Sequence, residues 1–261
     1  MITGSSAGTS WLAYCRPSPE SRLRLFCFPY AGGGASVYRT WAEGLPPTVD
    51  LCPVQLPGRE TRIIEPPFTR IGSLVEAASH ALRSYFDRPF CFFGHSMGAI
   101  VAFELARHLR RVHGLEPAHL IVSAYPAPQA CGSFPLRHDL PPDEFLREIV
   151  NLQGTPKEVL ASPELMELVV PVIRADLAVC ELYEYVDEPP LSCPITVCGG
   201  VNDSESPRST LEGWCRHTSG RFALRMFPGD HFFISTSRRT LLELLSSELL
   251  RLLQEGERPR P

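Results

Sequence analysis

The pentapeptide Gly94-His95-Ser96-Met97-Gly98 stands between an apolar run, PFCFF, and the amphipathic stretch AIVAFELARHLRRV. A serine at the centre of GxSxG, between a strand and a helix, is held on a turn so tight that its hydroxyl is pushed out at the end of the sheet. Side chains at the two glycine positions would collide with the neighbouring strand and helix, which is why the pattern needs glycine there. Ser96 is therefore the candidate nucleophile. It also opens a helix, whose partial positive charge and unpaired amides favour a developing oxyanion, and the Met97 N–H is the candidate first donor.

A serine hydroxyl attacks poorly unless a histidine takes its proton, so a base is expected later in the chain, after the last strand. His231, in Pro228-Gly229-Asp230-His231 after the run Phe222 to Phe227, meets that condition. Of the eight histidines, His80, His108 and His113 fall in helical patterns, His119 opens a strand-like run and His217 closes a helical one. His95 is read as a packing residue pointing away from Ser96. An acid that orients the base belongs on the loop after the penultimate strand, where CPITVCGG runs into Val201-Asn202-Asp203. Asp203 is the candidate, with Glu205 and Asp176 as competitors. Asp230 adjoins His231 and for that reason cannot turn back to orient it.

A second oxyanion donor needs a backbone amide close to the serine, and the glycine run Phe28-Pro29-Tyr30-Ala31-Gly32-Gly33-Gly34 after the strand LRLFC lets the main chain approach a carbonyl. The Ala31 N–H is the candidate, with Tyr30 as its rival. A nucleotide-binding loop is the competing use of such glycines, but GxGxxG and a following Lys-Ser/Thr pair are both missing.

The elements that must carry these residues are legible as short apolar runs: LRLFCFPY, DLCPVQLPG, PFCFFGHS, HLIVSAYP, CPITVCGG and FALRMFPG. Each has the length and bounding residues of a buried strand. Helical patterns lie between them at Ile71 to Phe86, Gly98 to Val112 and Pro207 to His217, the last after a Ser206 cap with Pro207 at the first helical position, and a final helix spans Thr236 to Leu253. Alternation of strand and helix predicts an α/β fold with a mainly parallel sheet, functional loops gathering at the carboxyl ends of the strands. Residues 126–191 are too long for a simple crossover and read as a helical insertion. Within it, Thr155-Pro156-Lys157-Glu158 has the form of a capping box. Ser162-Pro163 opens a second helix with Leu165, Leu168, Val169, Val172, Ile173 and Leu177 on one broad face, which either packs on the core or doubles as a mobile lid.

The chain has 261 residues, 44% of them hydrophobic, and a net charge of −4. One domain over residues 10–254 is expected, with disordered tails at 1–9 and 255–261. The charge and the lack of a basic run argue against a nucleic-acid partner. No stretch has the length of a membrane span and the first residues lack the form of a secretion signal, so a cytoplasmic protein with no membrane attachment is expected. Nine cysteines without a CxxC pair predict neither a disulfide framework nor a metal site.

Taken in order, FPYAGGGAS, QLPGRE, FFGHSMGA, RADL (Arg174 to Leu177), GGVND and GDHFF resemble the type II thioesterases, the editing enzymes of polyketide and nonribosomal peptide assembly lines, over roughly Trp11 to Leu250. The resemblance implies an α/β-hydrolase fold with an α-helical lid over residues 126–191, and a triad of Ser96, Asp203 and His231. It also implies hydrolysis of acyl thioesters on the phosphopantetheine arm of acyl or peptidyl carrier proteins, with no cofactor of the enzyme's own. Relatives often carry two acidic residues where this chain has Asn202-Asp203. Arg59 and Arg62, in the loop after DLCPVQLPG, are candidates for receiving the carrier's phosphate or acidic surface, against the alternative of a loop ion pair with Glu60. A carboxylesterase or acyltransferase using the same three residues is the alternative enzyme, and a binding module on the same scaffold the alternative outside catalysis.

Overall fold

In a computed structural model, which describes residues 10–15, 18–130, 136–152 and 154–257, the six apolar runs are six strands. They are β1 (Leu23–Phe28), β2 (Val49–Pro53), β3 (Phe90–His95), β4 (His119–Ser123), β5 (Ile195–Gly200) and β6 (Phe222–Phe227). All five pairings are parallel, in the order β2-β1-β3-β4-β5-β6. β3 therefore lies at the centre, and the chain that leaves its carboxyl end enters the middle of the sheet's functional edge.

Both faces of the sheet are covered, and side chains alternate between them with the two-residue period of a strand. Phe26, Phe28, Phe90 and Phe92 pack with α1 (Ile71–Leu82) and α2 (Met97–His113) on one face, whereas Leu23, Leu25, Cys27, Cys91 and Phe93 pack on the other, toward Tyr38, Trp41 and the final helix. That double burial is why these strands read as nearly continuous apolar runs. α2 ends on Gly114 at φ 64°, whose amide caps the Arg110 carbonyl, a left-handed stop that glycine adopts without strain.

Between β4 and β5 the chain forms α3 (Pro142–Asn151), α4 (Lys157–Leu160) and α5 (Pro163–Glu181). Ser162 caps α5 by accepting from the Leu165 amide, with Pro163 at its first position. The capping box expected at Thr155 does not form: α4 starts after Pro156 with no side-chain cap. The face expected on α5 is divided along its length. Leu165 and Leu168 near its start are exposed, while Val172, Ile173 and Leu177 are buried. Phe145, Ile149, Ile173 and Leu177 make a small core of their own above the sheet edge.

After β5, the expected single helix is a short α6 (Arg208–Leu211) followed by 3-10 turns over Glu212–His217, and Ser206 does not cap it. The chain ends with α7 (Phe233–Thr236) and α8 (Arg238–Glu257). Residues 255–257 thus continue α8 where a tail was expected, and the tail residues 1–9 and 258–261 lie outside the described residues.

Candidate active site

Ser96 leaves β3 and becomes the residue before α2 with φ 53° and ψ −123°, a conformation that L-residues avoid. It is held there by its own amide, which donates to the Ser123 carbonyl of β4 at 2.8 Å, and by its carbonyl, which accepts from Ala99 at 2.8 Å. The two glycines are required by space. A Cβ on Gly94 would lie 2.0 Å from the Gly98 carbonyl oxygen, and a Cβ on Gly98 would lie 2.0 Å from that of Phe28. Strand β1, strand β3 and α2 can therefore converge at this point only if both positions lack a side chain.

His231 and Asp203 arrive from the neighbouring edge. The ends of β5 and β6 stay zipped past their last ladder pair, with the Val201 amide on the Phe227 carbonyl at 2.9 Å and the Asn202 amide on that of Gly229 at 3.0 Å. Gly229, at φ 121°, makes the turn that brings the chain back. His231 Nδ1 then lies 2.9 Å from Asp203 Oδ2. Asp203 is also bonded by the Glu205 amide at 2.9 Å and the Ser206 amide at 3.2 Å, both on Oδ1, and by the Ser206 hydroxyl on Oδ2. Burial alone would raise its pKa. The hydrogen bond and charge of His231, with the hydroxyl and amide of Ser206, outweigh that and bring it down to about 2.

The competitors for the acid are placed elsewhere. Glu205 pairs with Arg137 at 3.1 Å. Asp176 is buried on α5 and bonded to Arg59 and the Gly32 amide. Asp230 accepts the Phe232 amide at 2.9 Å, so it organises the turn. His95 is fully buried with Nδ1 2.9 Å from the Ser123 hydroxyl, and burial together with the nearby charge of His231 holds its pKa well below the usual imidazole value. A ring so placed stays neutral and packs against His231, their centroids 5.4 Å apart.

In the glycine run, the Gly32 amide is committed to Asp176 at 2.7 Å and the Gly33 amide to the Tyr30 carbonyl at 2.9 Å. Ala31, next to them, faces the same cavity as Ser96 and His231. Met97 is the first residue of α2, where amides have no acceptor within the helix. The cavity encloses about 330 Å³ and is walled by Tyr30, Ile149, Leu152, Ile173, Leu177 and Phe232. Ile149 and Leu152 come from and just after α3, and Ile173 and Leu177 from α5.

The two arginines expected at the carrier-facing edge are turned inward, each 6% exposed. Arg59 makes a two-pronged pair with Asp176 at 2.6 and 2.8 Å and reaches the Gly33 carbonyl at 3.2 Å. Arg62 forks onto Glu65 at 2.8 and 2.5 Å, donates to the Gln55 carbonyl at 2.9 Å and lies 4.6 Å over the ring of Trp11. Glu60, proposed as a partner for either, binds Ser36 instead. Among the described residues Arg59 spends four of its five N–H donors inside the protein and Arg62 three, as expected of charges that are largely buried. Sequence reasoning missed Ser206, whose place before Pro207 imitated a helix cap while its hydroxyl serves Asp203.

The thioesterase domain family matches residues 23–249. The chain belongs to the thioesterase family. It is 40% identical to the gramicidin S biosynthesis protein GrsT of Aneurinibacillus migulanus, over 95% of this chain and 97% of that one. Among solved structures, the thioesterase resembles RedJ, the thioesterase of the prodiginine pathway of Streptomyces coelicolor (TM-score 0.82, 39% identity, 87% of this chain and 86% of that one). It also resembles BorB, the type II thioesterase of the borrelidin cluster (TM-score 0.81, 34% identity, 91% and 95%). The six-stranded parallel sheet flanked by helices is thus the α/β-hydrolase fold of these enzymes, and the thioesterase is a serine hydrolase.

Proposed function

We propose that this thioesterase hydrolyses acyl groups from the phosphopantetheine arms of acyl or peptidyl carrier proteins, through an acyl-enzyme on Ser96, and so unblocks a polyketide or nonribosomal peptide assembly line. The observation that carries the reading is the shared cavity: Ser96 on its strained turn and the His231–Asp203 pair face one apolar-walled chamber with room for an acyl chain. His231, its Nδ1–H fixed on Asp203, takes the Ser96 proton as the hydroxyl oxygen attacks the thioester carbonyl. The Met97 and Ala31 amides receive the negative oxygen. Collapse expels the pantetheine thiol, whose pKa of about 8.5 by analogy with cysteine makes it a better leaving group than an alcohol. Water, deprotonated by His231, then releases the acid and restores Ser96.

In this reading residues 10–254 form one domain, and residues 126–191 form a lid whose α3 and α5 close the chamber from above. The protein works in the cytoplasm, where assembly lines load their carriers; no helix among the described residues is long and apolar enough to cross a membrane. The test is release of acetyl, propionyl, medium-chain and aminoacyl groups from loaded carrier proteins, with Ser96→Ala as control. Turnover confined to oxygen esters would overturn the proposal.

A further inference from the structure

The loop that carries the Ala31 amide is held by groups outside the triad. At the end of β1 the backbone of Phe28 and Pro29 is fixed against the start of α2, since a Cβ on Gly98 would lie 2.0 Å from the Phe28 carbonyl oxygen and 2.8 Å from that of Pro29. Ala31 lies beyond that contact, in a turn closed by the Gly33 amide on the Tyr30 carbonyl at 2.9 Å. Ala31 and Gly32 are its central residues, and Gly32, at φ 77°, supplies the left-handed position that a type II turn requires. The Gly32 N–H is then directed away from the turn's own hydrogen bond and needs a partner from elsewhere in the fold.

That partner is Asp176, buried on α5 and 144 positions away, whose Oδ2 accepts the Gly32 amide at 2.7 Å. The same oxygen accepts Nη1 of Arg59 at 2.6 Å, and Oδ1 accepts Nη2 at 2.8 Å. Nη1 also donates to the Gly33 carbonyl at 3.2 Å, so the pair grips the turn twice, the carboxylate by an N–H and the guanidinium by a C=O. Arg59 is fixed in its turn: its Nε donates to the Pro57 carbonyl at 3.2 Å, and its own carbonyl accepts the Gln55 side-chain NH₂ at 3.0 Å. Ile173, one helical turn before Asp176, closes the remaining space, because a Cβ on Gly32 would lie 2.8 Å from it. The motifs QLPGRE and RADL, far apart in the chain, thus meet behind the glycine run.

We infer that Asp176 and Arg59 are positioning residues that lock the Ala31 amide in register with Ser96 by tying its turn to α5. Neither residue walls the chamber, so both act through the main chain of Gly32 and Gly33. Hydrogen bonds to charged groups are shorter and stronger than neutral ones, and the forked pairing compensates both charges inside the protein. The inference rests on the thioester hydrolysis proposed above. A misplacement of about 1 Å at an oxyanion donor costs up to about 10² in rate.

The test replaces the pair by apolar side chains, Arg59→Met together with Asp176→Leu, which leaves no buried charge unpaired and takes both grips off the turn. On an acyl N-acetylcysteamine thioester, kcat should fall by about ten- to a hundredfold with KM within about twofold, measured well below the melting temperature. A trifluoromethyl ketone analogue, whose adduct with Ser96 carries the same negative oxygen, should lose affinity by the same factor as kcat/KM. A thioether analogue without the carbonyl should bind as it does to the wild type. Should the double variant fail to fold, Asp176→Asn decides by the same two inhibitors. Its oxygen can keep the Gly32 amide only with its NH₂ opposed to one prong of Arg59, so kcat/KM and ketone affinity should fall together, by about three- to tenfold. Ketone affinity unchanged while kcat falls, an effect confined to KM, or a lower melting temperature with kcat intact overturns this role. Absence of wild-type turnover on all thioesters, carrier-bound ones included, would instead overturn the proposed function.

Discussion

Replacing Asp203 by asparagine should disable the enzyme through the wrong proton on His231, more than through any loss of shape. The carboxylate receives four hydrogen bonds: the Glu205 and Ser206 amides on Oδ1, the Ser206 hydroxyl and His231 Nδ1 on Oδ2. Backbone amides only donate, so the asparagine oxygen is drawn to the Oδ1 side and its NH₂ faces Ser206 and His231. The serine hydroxyl can rotate to accept. The imidazole must then present a bare Nδ1, which moves its hydrogen to Nε2 and leaves nothing to take the Ser96 proton. The opposite rotamer keeps the productive tautomer but opposes NH₂ to two buried backbone N–H groups, at about 1–3 kcal/mol each. That sum, about 2–6 kcal/mol, fixes the surviving active fraction, and at about 1.4 kcal/mol per decade it predicts a loss of kcat from about thirtyfold to on the order of 10⁴. KM should hardly change. The assay is kcat on a single acyl thioester, with folding followed by thermal melting and the His231 tautomer read from ring ¹⁵N shifts. Turnover within about tenfold of wild type, or a hydrogen found on Nδ1 in the variant, would refute the reasoning.

Other expectations follow from the same geometry. A fluorophosphonate should label Ser96, with peptide mapping as the readout, and Ser96→Ala should abolish both labelling and turnover. Gly98→Ala should unfold or severely destabilise the protein, because its methyl would meet the Phe28 carbonyl at 2.0 Å between backbone segments that cannot yield; a normal melting curve would contradict this. Arg62→Glu should lower the melting temperature by placing an unpaired carboxylate where the buried Arg62 held its fork on the half-exposed Glu65 and its stack on Trp11, with equal effects on KM for carrier-bound and small thioesters. A rise confined to carrier substrates would restore the docking role. Asp203 is held at about 2, below its unfolded value, so its contribution to stability is present above about pH 4 and is lost as pH falls toward 2. The difference in melting temperature between wild type and Asp203→Asn should accordingly narrow through that interval.

The strands, the turn at Ser96 and the positions of Asp203 and His231 after the last two strands were readable from the chain alone, because each is governed by local rules. Six buried strands announce themselves as apolar runs bounded by turn residues, and the glycines flanking Ser96 mark a close approach that no other residue allows. The partnerships of charged residues were not readable. Arg59 and Asp176 are separated by 117 positions, and nothing in either neighbourhood signals the other. On a loop, an arginine destined for a buried pair and one destined for a carrier look the same. Ser206 before proline had the form of a helix cap, and only the return of the chain after β5 put its hydroxyl on Asp203. Local sequence specifies which backbone conformation a segment prefers, but a charge or hydroxyl takes its role from the groups that tertiary packing brings within hydrogen-bond reach, and burial then makes that one pairing obligatory.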